Sequence, residues 1–251
     1  VGTQLKFNGM SLVGEGSSVN SIKSALTNEV IQVGSDINGI YSNGQGSKIG
    51  YEVGLSDDGN NLVIGGGALT QSPPTALYKW DGSSWNQLGS DIKGDALNDY
   101  FGESIALNSD GTIMAVGAWG NDDNGSASGQ AKVFKWDGSS WNQLGSDIKG
   151  ETTNDHLGQK VSLNHNGDRL AVSAIQSDGS GYVKIYDYVD GDWNQIHKIE
   201  GESAGDDFGR GLDLSASGNR VAIGAPYNDG NGNDNSGHVR IYFWDGSDWE
   251  N

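Results

Sequence analysis

Cysteine is absent from the chain, which rules out disulfides and thiolate chemistry without fixing a compartment. Proline is scarce, at 3 of 251 residues. The 41 glycines follow no three-residue period, which excludes a collagen-like rod. Basic residues are few: 15 against 33 acidic ones, for a formal net charge of −18. Such a surface repels phosphate backbones and anionic headgroups, so nucleic acid is not expected as a partner. It suits a soluble particle in a salty medium, where screening makes self-repulsion tolerable. No apolar run approaches the length of a bilayer span, so membrane insertion is not expected. No leader-like segment stands out, and the chain begins at Val1 without Met, so a processed or excised product is expected.

What the chain has instead is repetition. Trp80-Asp81-Gly82-Ser83-Ser84-Trp85 returns as Trp136-Asp137-Gly138-Ser139-Ser140-Trp141. It returns again as Tyr188-Val189-Asp190-Gly191-Asp192-Trp193 and Trp244-Asp245-Gly246-Ser247-Asp248-Trp249. Ile49-Gly50, Phe101-Gly102, Leu157-Gly158 and Phe208-Gly209 keep the same spacing. A period of roughly fifty-odd residues points to propellers or solenoids, and a four-stranded blade fits that length.

Each repeat reads as four strands. The first is Ser104-Ile105-Ala106-Leu107 and its counterparts, followed by tight turns at Asp58-Gly59, Asp110-Gly111, Asn166-Gly167 and Ser217-Gly218. The second, such as Ile113-Met114-Ala115-Val116, is nearly all apolar, as a strand buried on both faces is. The third alternates, as in Val183-Lys184-Ile185-Tyr186, and the Asp-Gly hairpin leads to a fourth, such as Trp141-Asn142-Gln143-Leu144. The expected fold is all-β: a β-propeller of about four four-stranded antiparallel blades over residues 29–251. Residues 1–28 form an extension outside the repeat, with a hairpin expected around Asn8-Gly9 and a short helix over Ser18–Asn28. Ile31 to Ile37 matches the internal fourth strands, while the last repeat stops at Trp249-Glu250-Asn251. The expectation is that this N-terminal strand closes the ring and removes an unpaired edge; a fragment of a larger ring is the alternative.

These residues resemble the FG-GAP repeat, the blade unit of the integrin alpha-subunit propeller and of many microbial surface proteins. Phe101-Gly102 and Phe208-Gly209 carry the naming dipeptide, and Gly224-Ala225-Pro226 the second element, weakened to Gly117-Ala118-Trp119 in another repeat. The resemblance implies a propeller with a binding or adhesive role at a cell or particle surface. Calcium-binding blades of that family carry an Asp-rich loop between their first and second strands. Here that connection is a tight turn, so that site does not carry over.

The loops after the second strands hold the remaining candidates. Asp229, Asn231, Asn233 and Asp234 place oxygens at alternate positions, as a calcium loop does. No downstream Glu closes the set, so a solvated turn is the better reading and no cofactor is expected. Trp119 is an aromatic that no other repeat has at that position. With Asp122, Asp123 and Tyr227 it is a candidate ligand contact. Carboxylates precede each Phe-Gly element: Asp95 and Asp99, Glu151 and Asp155, Glu202 and Asp206. Glycosidases use paired carboxylates, but recurrence once per blade favours a structural duty such as accepting backbone N–H bonds. The Trp pairs are read as hairpin clamps or blade-packing groups. The expected function is therefore a non-enzymatic extracellular or particle-surface module that binds a surface glycan or protein ligand. A structural protein that assembles with copies of itself through its terminal strands is the alternative, and a polysaccharide-degrading enzyme the least favoured.

Overall fold

A computed structural model describes residues 32–39, 48–66, 75–230 and 234–250, together with strands at 6–7, 10–11, 41–42 and 45–46. Strands β1 (Lys6–Phe7) and β2 (Met10–Ser11) form the hairpin expected around Asn8-Gly9, and β3 (Tyr41–Ser42) pairs with β4 (Gln45–Gly46). The helix expected over Ser18–Asn28 lies outside the described residues.

Four antiparallel sheets follow, and the described residues hold no α-helix. Blade I is β5 (Ile49–Leu55), β6 (Asn61–Gly66), β7 (Ala76–Trp80) and β8 (Trp85–Gln87). Blade II is β9 (Ser104–Leu107), β10 (Ile113–Ala118), β11 (Gln130–Trp136) and β12 (Trp141–Gln143), with β13 (Ile148–Lys149) also on β11. Blade III is β14 (Leu157–Leu163), β15 (Arg169–Ala174), β16 (Tyr182–Val189) and β17 (Asp192–Glu200). Blade IV is β18 (Gly211–Leu214), β19 (Arg220–Ala225), β20 (His238–Trp244) and β21 (Trp249–Glu250). Within each blade the four strands pair in sequence order.

The tight turns between first and second strands are held by one repeated acceptor. Ser56 Oγ takes Asn61 N–H at 3.0 Å and Ser215 Oγ takes Arg220 N–H at 3.0 Å. Asn108 Oδ1 takes Thr112 and Ile113 N–H, and Asn164 Oδ1 takes Asp168 and Arg169 N–H. A short polar side chain that bonds nearby backbone stabilises such a turn directly.

The outer hairpins explain the Trp-Asp-Gly-Ser-Ser-Trp repeat. Asp81 Oδ1 accepts both Ser83 and Ser84 N–H at 2.8 Å, and Asp137 does the same for Ser139 and Ser140. These bonds, from Ser84 and then Ser83, hold the Asp81 carboxyl well below its ordinary range. Trp80 and Trp85 face one another across the hairpin with ring centroids 5.4 Å apart, and Trp136 and Trp141 at 5.5 Å. The second Trp also reaches the preceding blade: Trp141 Nε1 donates to Leu88 O, and Trp193 Nε1 to Leu144 O.

Apolar side chains fill the spaces between blades. Val63 and Leu77 of blade I meet Ile105, Met114 and Val116 of blade II. Ala131 and Val133 meet Val161, Leu170 and Val172; Val183 and Ile185 meet Leu214, Val221 and Ile223. Phe101, Leu157 and Phe208 are buried, and the glycine after each has φ of +92°, +90° and +97°. At Gly158 an added Cβ would collide with the Gln130 carbonyl, so both backbone shape and space demand glycine there.

Closure of the ring by the N-terminal strand is not shown: residues 32–37 form no strand, and no pairing with blade IV is present among the described residues. They lie against blade I: Val33 O accepts Trp85 Nε1–H at 3.1 Å, and Gly34 sits against Trp80 and Trp85 as Gly89 sits against Trp136 and Trp141. This is the seat that a preceding blade's fourth strand occupies elsewhere in the molecule. Inner strands β5, β9, β14 and β18 border a cavity of about 480 Å³. Lys160 Nζ reaches Glu52 there at 3.0 Å, and Ser162 Oγ bonds Leu214 N–H and Asp213.

Candidate loop-rim site

In blades II, III and IV the loop joining second to third strands meets the loop entering the blade, and one carboxylate in each ties the two together. Asp99 accepts Ala96 N–H and the Asn121 side-chain amide at 3.1 Å each. Asp155 accepts Glu151 and Thr152 N–H, Thr152 Oγ1–H, the Gln176 amide and the Tyr182 hydroxyl. Asp206 accepts the Asn228 amide at 2.6 Å. All three carboxylates are buried.

Their protonation differs with their partners. Burial pushes the Asp99 carboxyl up, and the bonds from Asn121 and Ala96 do not offset it. Burial acts on Asp155 too, but donors from Gln176, Thr152, Tyr182 and Glu151 outweigh it and leave that carboxyl below its ordinary value. The Tyr182 hydroxyl is pushed far up by burial and by the adjacent Asp155 charge. These groups are locked as acceptors and donors in a folded loop.

Trp119 sits at the start of the β10–β11 loop. Its ring stacks on Tyr100 at 4.0 Å between centroids, 10° from parallel. Its Nε1 donates to Glu103 Oε2 at 2.9 Å, and His156 of the next blade meets it edge-on at 5.3 Å. Burial lowers the His156 pKa against the opposing charge of Asp155. Tyr100 and His156 both precede the repeated Phe-Gly or Leu-Gly element and are 56 residues apart, 156 − 100. That shared slot was the signal in the sequence for this cluster.

The other candidates are placed apart from it or already engaged. Asp122 Oδ1 accepts Ala127 N–H at 2.7 Å, and Asp123 pairs with Lys149 at 2.9 Å. Tyr227 is half-exposed on the β19–β20 loop, two blades from Trp119. Asp229 Oδ1 accepts Asn235 N–H at 2.8 Å, which is turn chemistry. Asp234 is exposed, and Asn231 and Asn233 lie outside the described residues. Among the described residues, no group of three or more His, Asp or Glu side chains is placed to hold a metal ion.

Comparisons agree with this architecture. Residues 93–134 and 193–242 match the FG-GAP repeat family. The first segment spans most of blade II, and the second runs from the last strand of blade III into the third of blade IV. No curated protein matches the chain. Among solved structures, it is similar to a candidate 6-phosphogluconolactonase of Bacteroides uniformis, with 12% identity and a TM-score of 0.54. A second such protein, from Bacteroides fragilis, shows 14% identity and the same TM-score. Both matches cover 79% of this chain and 52% of the other. A functionally unknown protein of Desulfotomaculum acetoxidans matches at 12% identity and a TM-score of 0.52, over 79% of this chain and 53% of its own. The chain thus spans about half the length of these structures, and at such identities the likeness concerns the fold alone. Two segments of the chain thus match FG-GAP repeats, and they lie on four-stranded antiparallel blades consistent with an FG-GAP β-propeller.

Proposed function

We propose that the chain is a non-enzymatic binding module that works outside the cell or on a particle surface and presents rim loops to a glycan or protein ligand. The observation that supports this reading is what the rim carboxylates do. Asp99, Asp155 and Asp206 each hold their own blade's loops, which leaves no free pair for acid–base work on those positions. The half-exposed Trp119–Tyr100–His156 cluster then offers an aromatic platform beside Glu103, a combination suited to the apolar face and hydroxyls of a sugar or to a protein side chain.

The solved neighbours named for 6-phosphogluconolactonase raise a catalytic rival. A sugar phosphate calls for a basic pocket, whereas the cavity between the inner strands carries Glu52 and Asp213, and its Lys160 is already paired with Glu52. Glycan and protein arrays probed with the labelled chain test the proposal. Saturable binding to a defined ligand class is expected, weakened at least about tenfold, or 1.4 kcal/mol, by Trp119→Ala with an unchanged strand spectrum. Binding that survives Trp119→Ala and Tyr227→Ala alike refutes the rim site.

A further inference from the structure

The four histidines of the chain keep different company. His165 Nδ1 lies 3.3 Å from Asp57, His197 Nδ1 3.2 Å from Asp248 and His238 Nδ1 4.0 Å from Glu202. A carboxylate at that range favours a proton on the ring. Among the described residues His156 makes no such pair. Its ring meets Trp119 of the neighbouring blade edge-on at 5.3 Å. Its Nδ1 lies 3.5 Å from Ser177 Oγ, at the outer limit of a hydrogen bond.

The charged groups around this ring are engaged with other partners. Asp155, next to it in the chain, accepts five donors. Across the blade boundary, Glu103 takes Trp119 Nε1–H. On the β10–β11 loop, Asp122 bonds Ala127 N–H and Asp123 pairs with Lys149. Asp178, on the β15–β16 loop with Ser177, is exposed. The main chain is fastened as well. Asn154, His156 and Leu157 N–H donate to Ser126, Ala127 and Ser128 O of the β10–β11 loop at 2.8, 3.0 and 3.1 Å. The imidazole is the part of this segment that can turn while its backbone stays in place.

We infer that His156 is a proton-operated cover on the Trp119–Tyr100 stack: neutral, its ring packs on Trp119; protonated, it turns to solvent and bares the Trp119 ring. A charge half-buried against an aromatic ring, with no carboxylate paired to it, costs free energy that rotation into water removes. Attraction of the imidazolium to the indole face acts in the opposite sense. The direction of the His156 pKa agrees with the geometry: burial lowers it, against the charge of Asp155. The cover adds regulation to the rim site. Its control of ligand access rests on the binding proposal, whereas the movement itself needs no ligand.

NMR of the ligand-free chain tests it, from about pH 8 down to about pH 4.5. The His156 C2–H signal, assigned by its loss in His156→Asn, is expected to titrate at the lowest midpoint of the four histidines, below the ordinary 6.5. Nuclear Overhauser contacts between the His156 and Trp119 rings are expected above that midpoint and absent below it. The Trp119 indole N–H, assigned by Trp119→Phe, is expected to shift with the same midpoint. That shift is expected to vanish in His156→Asn, since Asn tolerates the φ of +56° found there. A His156 that titrates at or above the other three overturns the inference, because the indole would then hold the charged ring in place. Ring contacts that persist at both ends of the range overturn it too, as does a Trp119 shift that survives in folded His156→Asn. If that variant does not fold, substitution by Gln supplies the assignment, and the midpoint and the ring contacts of the wild type decide. An array without a ligand leaves these results standing, and an immobile His156 leaves array binding standing, so the two proposals fail separately.

Discussion

Replacing Asp155 separates a structural carboxylate from a catalytic one. Its side chain is 1% exposed and accepts five bonds at 2.6 to 3.0 Å. In Asp155→Ala, the exposed backbone of Glu151 and Thr152 regains water, but the buried Tyr182 hydroxyl and the half-buried Gln176 amide lose their acceptor. A buried polar group stranded in this way costs roughly 1–3 kcal/mol, so the two together cost about 2–6 kcal/mol. For a chain of this length, each kcal/mol lowers the melting temperature by about 2–4 °C, which gives a fall of roughly 4–24 °C. Asp155→Asn keeps one acceptor oxygen and is expected to lose about half as much. Thermal melts followed by circular dichroism read both. A melting temperature that holds or rises in Asp155→Ala would refute the reasoning, and would be the mark of a strained active-site group whose removal relieves the fold.

Three further outcomes follow from the same geometry. Trp193→Phe keeps the ring but loses the 2.8 Å bond to Leu144 O, and urea titration is expected to show a loss of about 1 kcal/mol. Gly158→Ala meets both a φ of +90° and the Gln130 carbonyl, and is expected to cost more than about 2 kcal/mol by the same titration, enough to deplete soluble protein on expression. On acidification, the turn carboxylates Asp58, held at about 2, and Asp81, Asp137 and Asp245, also held low, supply stability that is full above their ordinary 3.8 and lost as pH falls through the lowered values. The raised pKa of Asp99 acts in the opposite sense, as one group against several. The melting temperature is therefore expected to be flat near neutrality and to drop below pH 3.8; a rise there would contradict these assignments.

The blade plan was legible in the sequence because each local signal agreed with the others. Asp-Gly and Asn-Gly turns, apolar second strands and Trp-bounded hairpins fell at one period, and the structure places strands on all of them. The duty of Asp99 and Asp155 as backbone acceptors was legible for the same reason, whereas Asp206 takes a side-chain amide, and Asp95, Glu151 and Glu202 pair with Lys or Arg side chains. Turn residues Ser56, Asn108, Asn164 and Ser215 were missed, since two residue types share the task and hide the repeat. The partners of Trp119 were missed because Tyr100 meets it across its own blade's loops and His156 comes from the next blade, contacts that only folding and blade packing create. Residues 32–37 take the seat against blade I that their pattern suggests, but their pairing with blade IV, and with it closure of the ring, is not shown among the described residues.

The central claim, a repeat scaffold that binds without catalysis, meets its most direct test in turnover. Purified chain incubated with 6-phosphogluconolactone and with a panel of polysaccharides is expected to show no hydrolysis above buffer, while the same preparation binds its array ligand. Hydrolysis by the wild type that is abolished by Asp99→Asn in a folded protein would contradict the account.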